Sequence, residues 1–224
     1  MSIQKVNPYC VGLTGNIGSG KSTVIQLFKQ RGAAIIIADE VAREVTQKEQ
    51  PAVASIRQHF GETVVDEQGY LKRVALRDII FKNPAQRLWL EQLLHPLIRQ
   101  AIEEKVANIK QNTYCLIEIP LLLKREDYPY LQRVLLVTAD RKTQLTRVLH
   151  RDKCSLEQAN SILESQPDEK SRRRLADDII VNNGSTTLLE KEVVQLHERY
   201  LHQAQLKNLR TREEYNGYTD QSND

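Results

Sequence analysis

Gly15-Asn16-Ile17-Gly18-Ser19-Gly20-Lys21-Ser22 reads G-x-x-x-x-G-K-S, the spacing of a phosphate-binding P-loop. Glycines at 15, 18 and 20 let the backbone enter conformations that a Cβ penalises, and a loop bent this way turns its N–H groups toward an anion. The helix that follows adds the positive end of its dipole and its unpaired first-turn N–H groups. Lys21 is placed to reach β- and γ-phosphates as a point charge, and the Ser22 hydroxyl to ligate Mg2+. Upstream, Tyr9-Cys10-Val11-Gly12-Leu13-Thr14 reads as a buried strand. Downstream, Val24, Leu27 and Phe28 recur at helical spacing, which predicts a helix over Lys21–Gln30. A glycine-rich turn that merely happens to carry Lys-Ser would not need a strand before it and a helix after it.

Moving outward, residues 33–38 form a second apolar strand that delivers Asp39 at its C-terminal end. Ligands of parallel α/β sheets bind outside the carboxyl ends of the strands, so Asp39 is a candidate site residue; the other reading is a helix N-cap, which Asp favours. Residues 51–60 have helical spacing, 61–69 are turn-like, and helices are expected at 74–81 and after Asn83-Pro84. Pro96 should kink or restart that last helix, with His95 at the joint as a packing, capping or substrate residue. Residues 51–109 thus read as a helical insertion.

Further strands are expected at 114–119, ending near Glu118, at 134–137 and at 179–181. Glu118 is either an acid serving Mg2+ through water or a structural acid. Five strands alternating with helices predict an α/β fold with a five-stranded parallel sheet covered on both faces. Between the last two strands, Arg147 and Arg151 share a helical face, Ser155 with Gln158 makes a capping box, and Arg172-Arg173-Arg174 follows. Beside a P-loop, such a basic segment, about 141–176, reads as a lid whose arginines hold phosphate oxygens; otherwise it is a solvated charged face. Leu189, Val193, Leu196 and Tyr200 mark a closing helix, and polar residues 207–224 an expected disordered tail.

The 224 residues carry a formal net charge of +3, too balanced for bulk nucleic-acid binding. The three cysteines, Cys10, Cys115 and Cys154, supply neither a disulfide framework nor a zinc site, which suits a cytoplasmic protein. Nothing reads as a signal peptide or membrane span. Asp66-Glu67-Gln68-Gly69 matches the D-x-x-G of GTPases, but no N-K-x-D accompanies it and it falls in a turn, so the match reads as accidental.

From Tyr9 to Gln203 the sequence closely resembles the dephospho-CoA kinase family. The resemblance is carried by residues 12–23, by Ala38-Asp39-Glu40-Val41-Ala42-Arg43, His95-Pro96-Leu97-Ile98 and Pro120-Leu121-Leu122, and by Arg147 through Arg151-Asp152, Gln166, Ala176-Asp177-Asp178 and Asn182-Asn183-Gly184. It implies a P-loop NTPase fold whose core spans 9–50 and 110–206, with the insertion at 51–109 receiving substrate. It also implies a kinase that uses ATP and Mg2+ to phosphorylate the ribose 3′-hydroxyl of dephospho-CoA; a monomer is expected, though the sequence does not determine the oligomeric state. On it, Asp39 is the expected catalytic base, with Lys21 and Arg147 also catalytic. Gly15, Gly18, Ser19, Gly20, Lys21, Ser22, Thr23, Arg147, Arg151 and Asn183 would bind ATP, and Asp39, His95, Leu121 and Leu122 the acceptor. Three positions depart from the family's usual pattern: Ile37 stands where a first Asp is common, Lys124 where an acid often follows Pro-Leu-Leu, and Asn16 where a second loop glycine is common. The alternative is another P-loop kinase of small molecules or nucleoside monophosphates.

Overall fold

β1 (Tyr9–Thr14) is buried at all six positions, as a strand covered on both faces must be. It is the middle strand of a five-stranded parallel sheet in the order β2-β3-β1-β4-β5. The computed structural model describes residues 8–109, 113–166 and 168–220, with side chains to Thr211. Residues 110–112, expected in the core, and 221–224, expected in the tail, lie outside the described residues.

After β1 come α1 (Lys21–Gln30), β2 (Ala34–Ile37), α2 (Ala38–Glu44), α3 (Pro51–Phe60), α4 (Arg73–Lys82) and α5 (Pro84–Ala107). Then follow β3 (Tyr114–Glu118), β4 (Leu131–Thr138), α6 (Arg141–Asp152), α7 (Leu156–Glu164), α8 (Glu169–Leu175), β5 (Asp178–Val181) and α9 (Thr186–Asp220). β4 begins three residues before the expected 134, because Leu131 and Arg133 pair with Cys10 and Val11 of β1, with the register shifting past Gln132 between them. Its register sets Gly12 beside Val134 and Thr14 beside Leu136. β2 is separated from β1 by β3, so the strand beside the P-loop strand is the one ending at Glu118.

The chain divides into two units, one made of residues up to Ile36 and from Val106 onward, the other of Ile37–Lys105. In the first, Val11, Leu13, Phe28, Tyr114, Val137 and Tyr200 lie in one core. Phe28 stacks on Tyr200 with ring centroids 6.1 Å apart and meets Tyr114 edge-on at 6.3 Å. α9 continues as one helix through residues 207–220, where composition suggests disorder.

The second unit packs Ile56, Val64, Leu76 and Leu90 together, with Trp89 and Phe60 against them. α2 belongs to this unit: Glu44 pairs with Lys105 at 2.8 Å, and Arg73 donates to the Thr46 hydroxyl at 2.9 Å. The division therefore falls at Ile37, earlier than the expected 50. The helix does not restart at Pro96, and α5 is a single 24-residue helix. Pro96 and Gln92 are both exposed, so the carbonyl that loses its helical N–H partner sits where water can replace it. Asp66 accepts from the N–H groups of Gln68 and Tyr70 and Gly69 has φ +87°, so the D-x-x-G match is a local turn.

Candidate active site

The C-terminal ends of β1, β3, β4 and β5 carry the loops of the candidate site. Gly15 follows β1 directly, and a Cβ there would strike the Val137 carbonyl oxygen of β4. Gly20 has φ +90°, and a Cβ on it would strike the Asn182 side-chain amide. Both positions thus require glycine for close approach, the second also for its left-handed backbone.

The loop is braced from outside by residues far along the chain. The Asn182 amide, just past β5, donates to the Ser19 carbonyl at 2.9 Å. Arg147, in α6, donates to the carbonyls of Gly18 at 3.1 Å, Ser19 at 3.2 Å and Asn182 at 3.0 Å. With the carbonyls of residues 18 and 19 engaged outward, this stretch of loop is held in place. α1 opens at Gly20 without a side-chain cap and with no acid in its first turn, so no local anion cancels its positive end. Lys21 lays its ammonium on the carbonyls of Gly15 at 2.8 Å and Asn16 at 3.4 Å. Ser22 and Thr23 are exposed in the same turn. This set of backbone donors, an ammonium and a neighbouring guanidinium is chemistry for a polyphosphate.

Of the remaining candidates, Arg151 is exposed and pairs with Asp152 at 2.7 Å. Asn183 accepts from the Asp140 N–H at 2.7 Å, joining the loop after β5 to the start of α6. Asp140 caps that helix through the Thr143 N–H, a bond that holds its carboxyl below the usual carboxylate range. The capping box of Ser155 and Gln158 opens α7 as expected. Leu122 is 1% exposed and Leu121 46%, so of the two only Leu121 presents surface.

In the other unit, Asp39 is the second residue of α2 and is exposed. It is not the N-cap: Ile37 holds that position, with no side-chain cap. His95 is exposed within α5 rather than at a joint between helices.

Two residues of this region were not singled out from sequence. Asn182 shows no periodicity that marks it as a brace. Arg172 was read as part of a solvated or lid-borne basic run, but it is 3% exposed. Its spacing from Leu175, three residues on along α8, was the available cue.

A family model described as dephospho-CoA kinase matches residues 9–187. A dephospho-CoA kinase of Legionella pneumophila is 49% identical over 199 residues, 89% of this chain and 98% of that protein. A crystal structure of a Thermus thermophilus protein superposes with a TM-score of 0.73 at 30% identity, covering 85% of this chain and 97% of the other. The dephospho-CoA kinase of Campylobacter jejuni does so with a TM-score of 0.60 at 29% identity, covering 85% and 96%. A P-loop built at the end of the central strand and a match that runs through the last strand agree: the chain belongs to the dephospho-CoA kinase family.

Proposed function

We propose that this ATP-dependent kinase grips the triphosphate of ATP with the loop at residues 15–22 and transfers the γ-phosphoryl group to the ribose 3′-hydroxyl of dephospho-CoA. The observation that carries the reading is the bracing of the loop by Asn182 and Arg147 beside an uncapped, acid-free helix start. Phosphoryl transfer asks a protein mainly for positioning and charge stabilisation, and a pre-held loop supplies the first. The loop N–H groups and Lys21 stabilise negative charge gathering on the β–γ bridge oxygen. Gly15, Gly18, Ser19, Gly20 and Thr23 shape the cradle. Arg147 holds it from the side and adds its charge, and Arg151 serves the phosphates from the same helix. Asn183 lies on the adenine side.

Asp39 orients the attacking hydroxyl by accepting its hydrogen bond and takes the proton late in the transfer. Its support is the family motif Ala38-Asp39-Glu40 and a carboxylate not used as a helix cap. His95, Leu121 and Leu122 are proposed on the acceptor side, with 51–109 as the acceptor-receiving segment and 141–176 as the lid. The residues fit Mg2+: the Ser22 hydroxyl is exposed in the first turn beside Lys21, and this ion needs only one or two protein ligands besides phosphate and water. When bound, Mg2+ supplies neutralising charge to the phosphates. No helix among the described residues is long and apolar enough to cross a membrane. The three cysteines are free, which supports a reducing, cytoplasmic setting.

The test is incubation with ATP, Mg2+ and dephospho-CoA, read by mass, with nucleoside monophosphates as parallel acceptors. One phosphate added to dephospho-CoA alone is expected. Transfer to a nucleoside monophosphate in preference to dephospho-CoA would overturn the acceptor assignment.

A further inference from the structure

Arg172 is 3% exposed, a burial that charged side chains rarely reach unless paired. Its partners are neutral: Nη1 donates to the Thr14 hydroxyl at 3.0 Å and to the Pro120 carbonyl at 3.1 Å. Its buried Nε has no partner, and no carboxylate of the described residues lies within ion-pair distance. The next arginine behaves differently, since Arg173 pairs with Glu169 at 2.7 Å in solvent.

Where Arg172 sits gives the unpaired charge a meaning. Thr14 is the last residue of β1, and Gly15 of the P-loop follows it directly. Pro120 lies just beyond the end of β3, the neighbouring strand. The guanidinium therefore lies at the C-terminal ends of β1, from which the phosphate loop springs, and of its neighbour β3. A desolvated cation without a counter-charge destabilises the free fold. The hydrogen bonds do not require it, because the Thr14 hydroxyl also reaches the Pro120 carbonyl at 3.4 Å. An apolar side chain at 172 would leave those two oxygens with each other.

We propose that Arg172 is an electrostatic positioning residue for the nucleotide: its buried charge, unmatched within the protein, is matched by the polyphosphate of ATP on the P-loop. Stability of the empty protein is given up for affinity in the loaded one. This rests on the phosphate-loop reading above and adds a residue outside the loop to it.

The probe is inorganic tripolyphosphate, titrated calorimetrically into the full chain, its R172M and R172K variants and the Lys21→Ala variant, alongside thermal melts without ligand. R172M is expected to melt at or above the unsubstituted protein and to bind tripolyphosphate about ten-fold more weakly, the scale of one desolvated charge near a polyanion. R172K, which keeps the charge, should retain most of the affinity. An R172M protein that fails to fold, that melts well below the unsubstituted chain, or that binds tripolyphosphate equally well overturns the inference and makes Arg172 a structural brace. If R172K binds as weakly as R172M, charge is not what matters and the inference also falls. An unsubstituted chain that does not bind tripolyphosphate, or a Lys21→Ala variant that binds it unchanged, instead overturns the phosphate-loop reading itself.

Discussion

The side-chain amide of Asn182 donates to the backbone carbonyl of Ser19 at 2.9 Å, joining the end of β5 to the middle of the phosphate loop across 163 positions of chain. Asn182 is 6% exposed, so the bond is made out of water. Removing it leaves Arg147 as the donor to that carbonyl, so the loss is that of one hydrogen bond, about 0.5–1.5 kcal/mol. Asn182→Ala should therefore lower the unfolding free energy by that amount and raise the KM for ATP, because the loop loses one of its braces. Unchanged ATP kinetics would show that the bond serves the fold alone.

Gly20→Ala meets two obstacles, a backbone φ of +90° and an amide in the space of the new methyl group. The helix behind it should survive, since α1 is held by Val24, Leu27 and Phe28. We expect a folded protein by circular dichroism whose kcat/KM falls about 100-fold, the cost of roughly 1 Å of misplacement at a reacting centre. Activity within a few-fold of the parent would mean that the loop re-forms around the methyl group.

Asp39→Asn keeps the size and removes the charge of the proposed base. The kcat should drop about 10²–10⁴-fold, the usual contribution of such a group. The KM for ATP should hardly move, since ATP is assigned to the loop. A variant with the parent's kcat would take Asp39 out of the chemistry.

His197 gives a pH dependence of stability. Its Nδ1 lies 2.8 Å from the Tyr114 hydroxyl. Burial, and then the Arg31 guanidinium, hold its pKa below the ordinary 6.5, while Glu198 opposes them weakly. The unfolded chain then binds the proton more readily than the folded one. The contribution is therefore complete above about pH 6.5 and is lost as pH falls through that value toward the lower folded one. Thermal melts at pH 7.5 and 5.5 should show a drop that is shallower in His197→Gln. Equal slopes would mean that other groups set the dependence.

The P-loop, its strand and its helix were legible because three signals coincide there: fixed glycine spacing, an apolar run before it and helical periodicity after it. The sheet order was less so, since pairing is decided by long-range contacts; β2 looks like a neighbour of β1 in the chain, yet β3 lies between them. At Pro96 the local rule predicts a kink or a restart; solvent exposure lets the helix run on without a restart. The helical pairing of Arg147 with Arg151 marks it as a basic residue near the phosphates, but its bonds to the loop carbonyls are a use no periodicity reveals. Arg172 is one of three consecutive arginines, where only burial tells one from the next.

Phe28 of α1 rests on Tyr200 of α9, near the opposite end of the sequence. During synthesis the phosphate-gripping helix leaves the ribosome well before the ring that backs it. A nascent chain thus carries its most diagnostic motif with one side of its support still untranslated. Any truncation ahead of Tyr200 would strip Phe28 of one of the two rings packed against it.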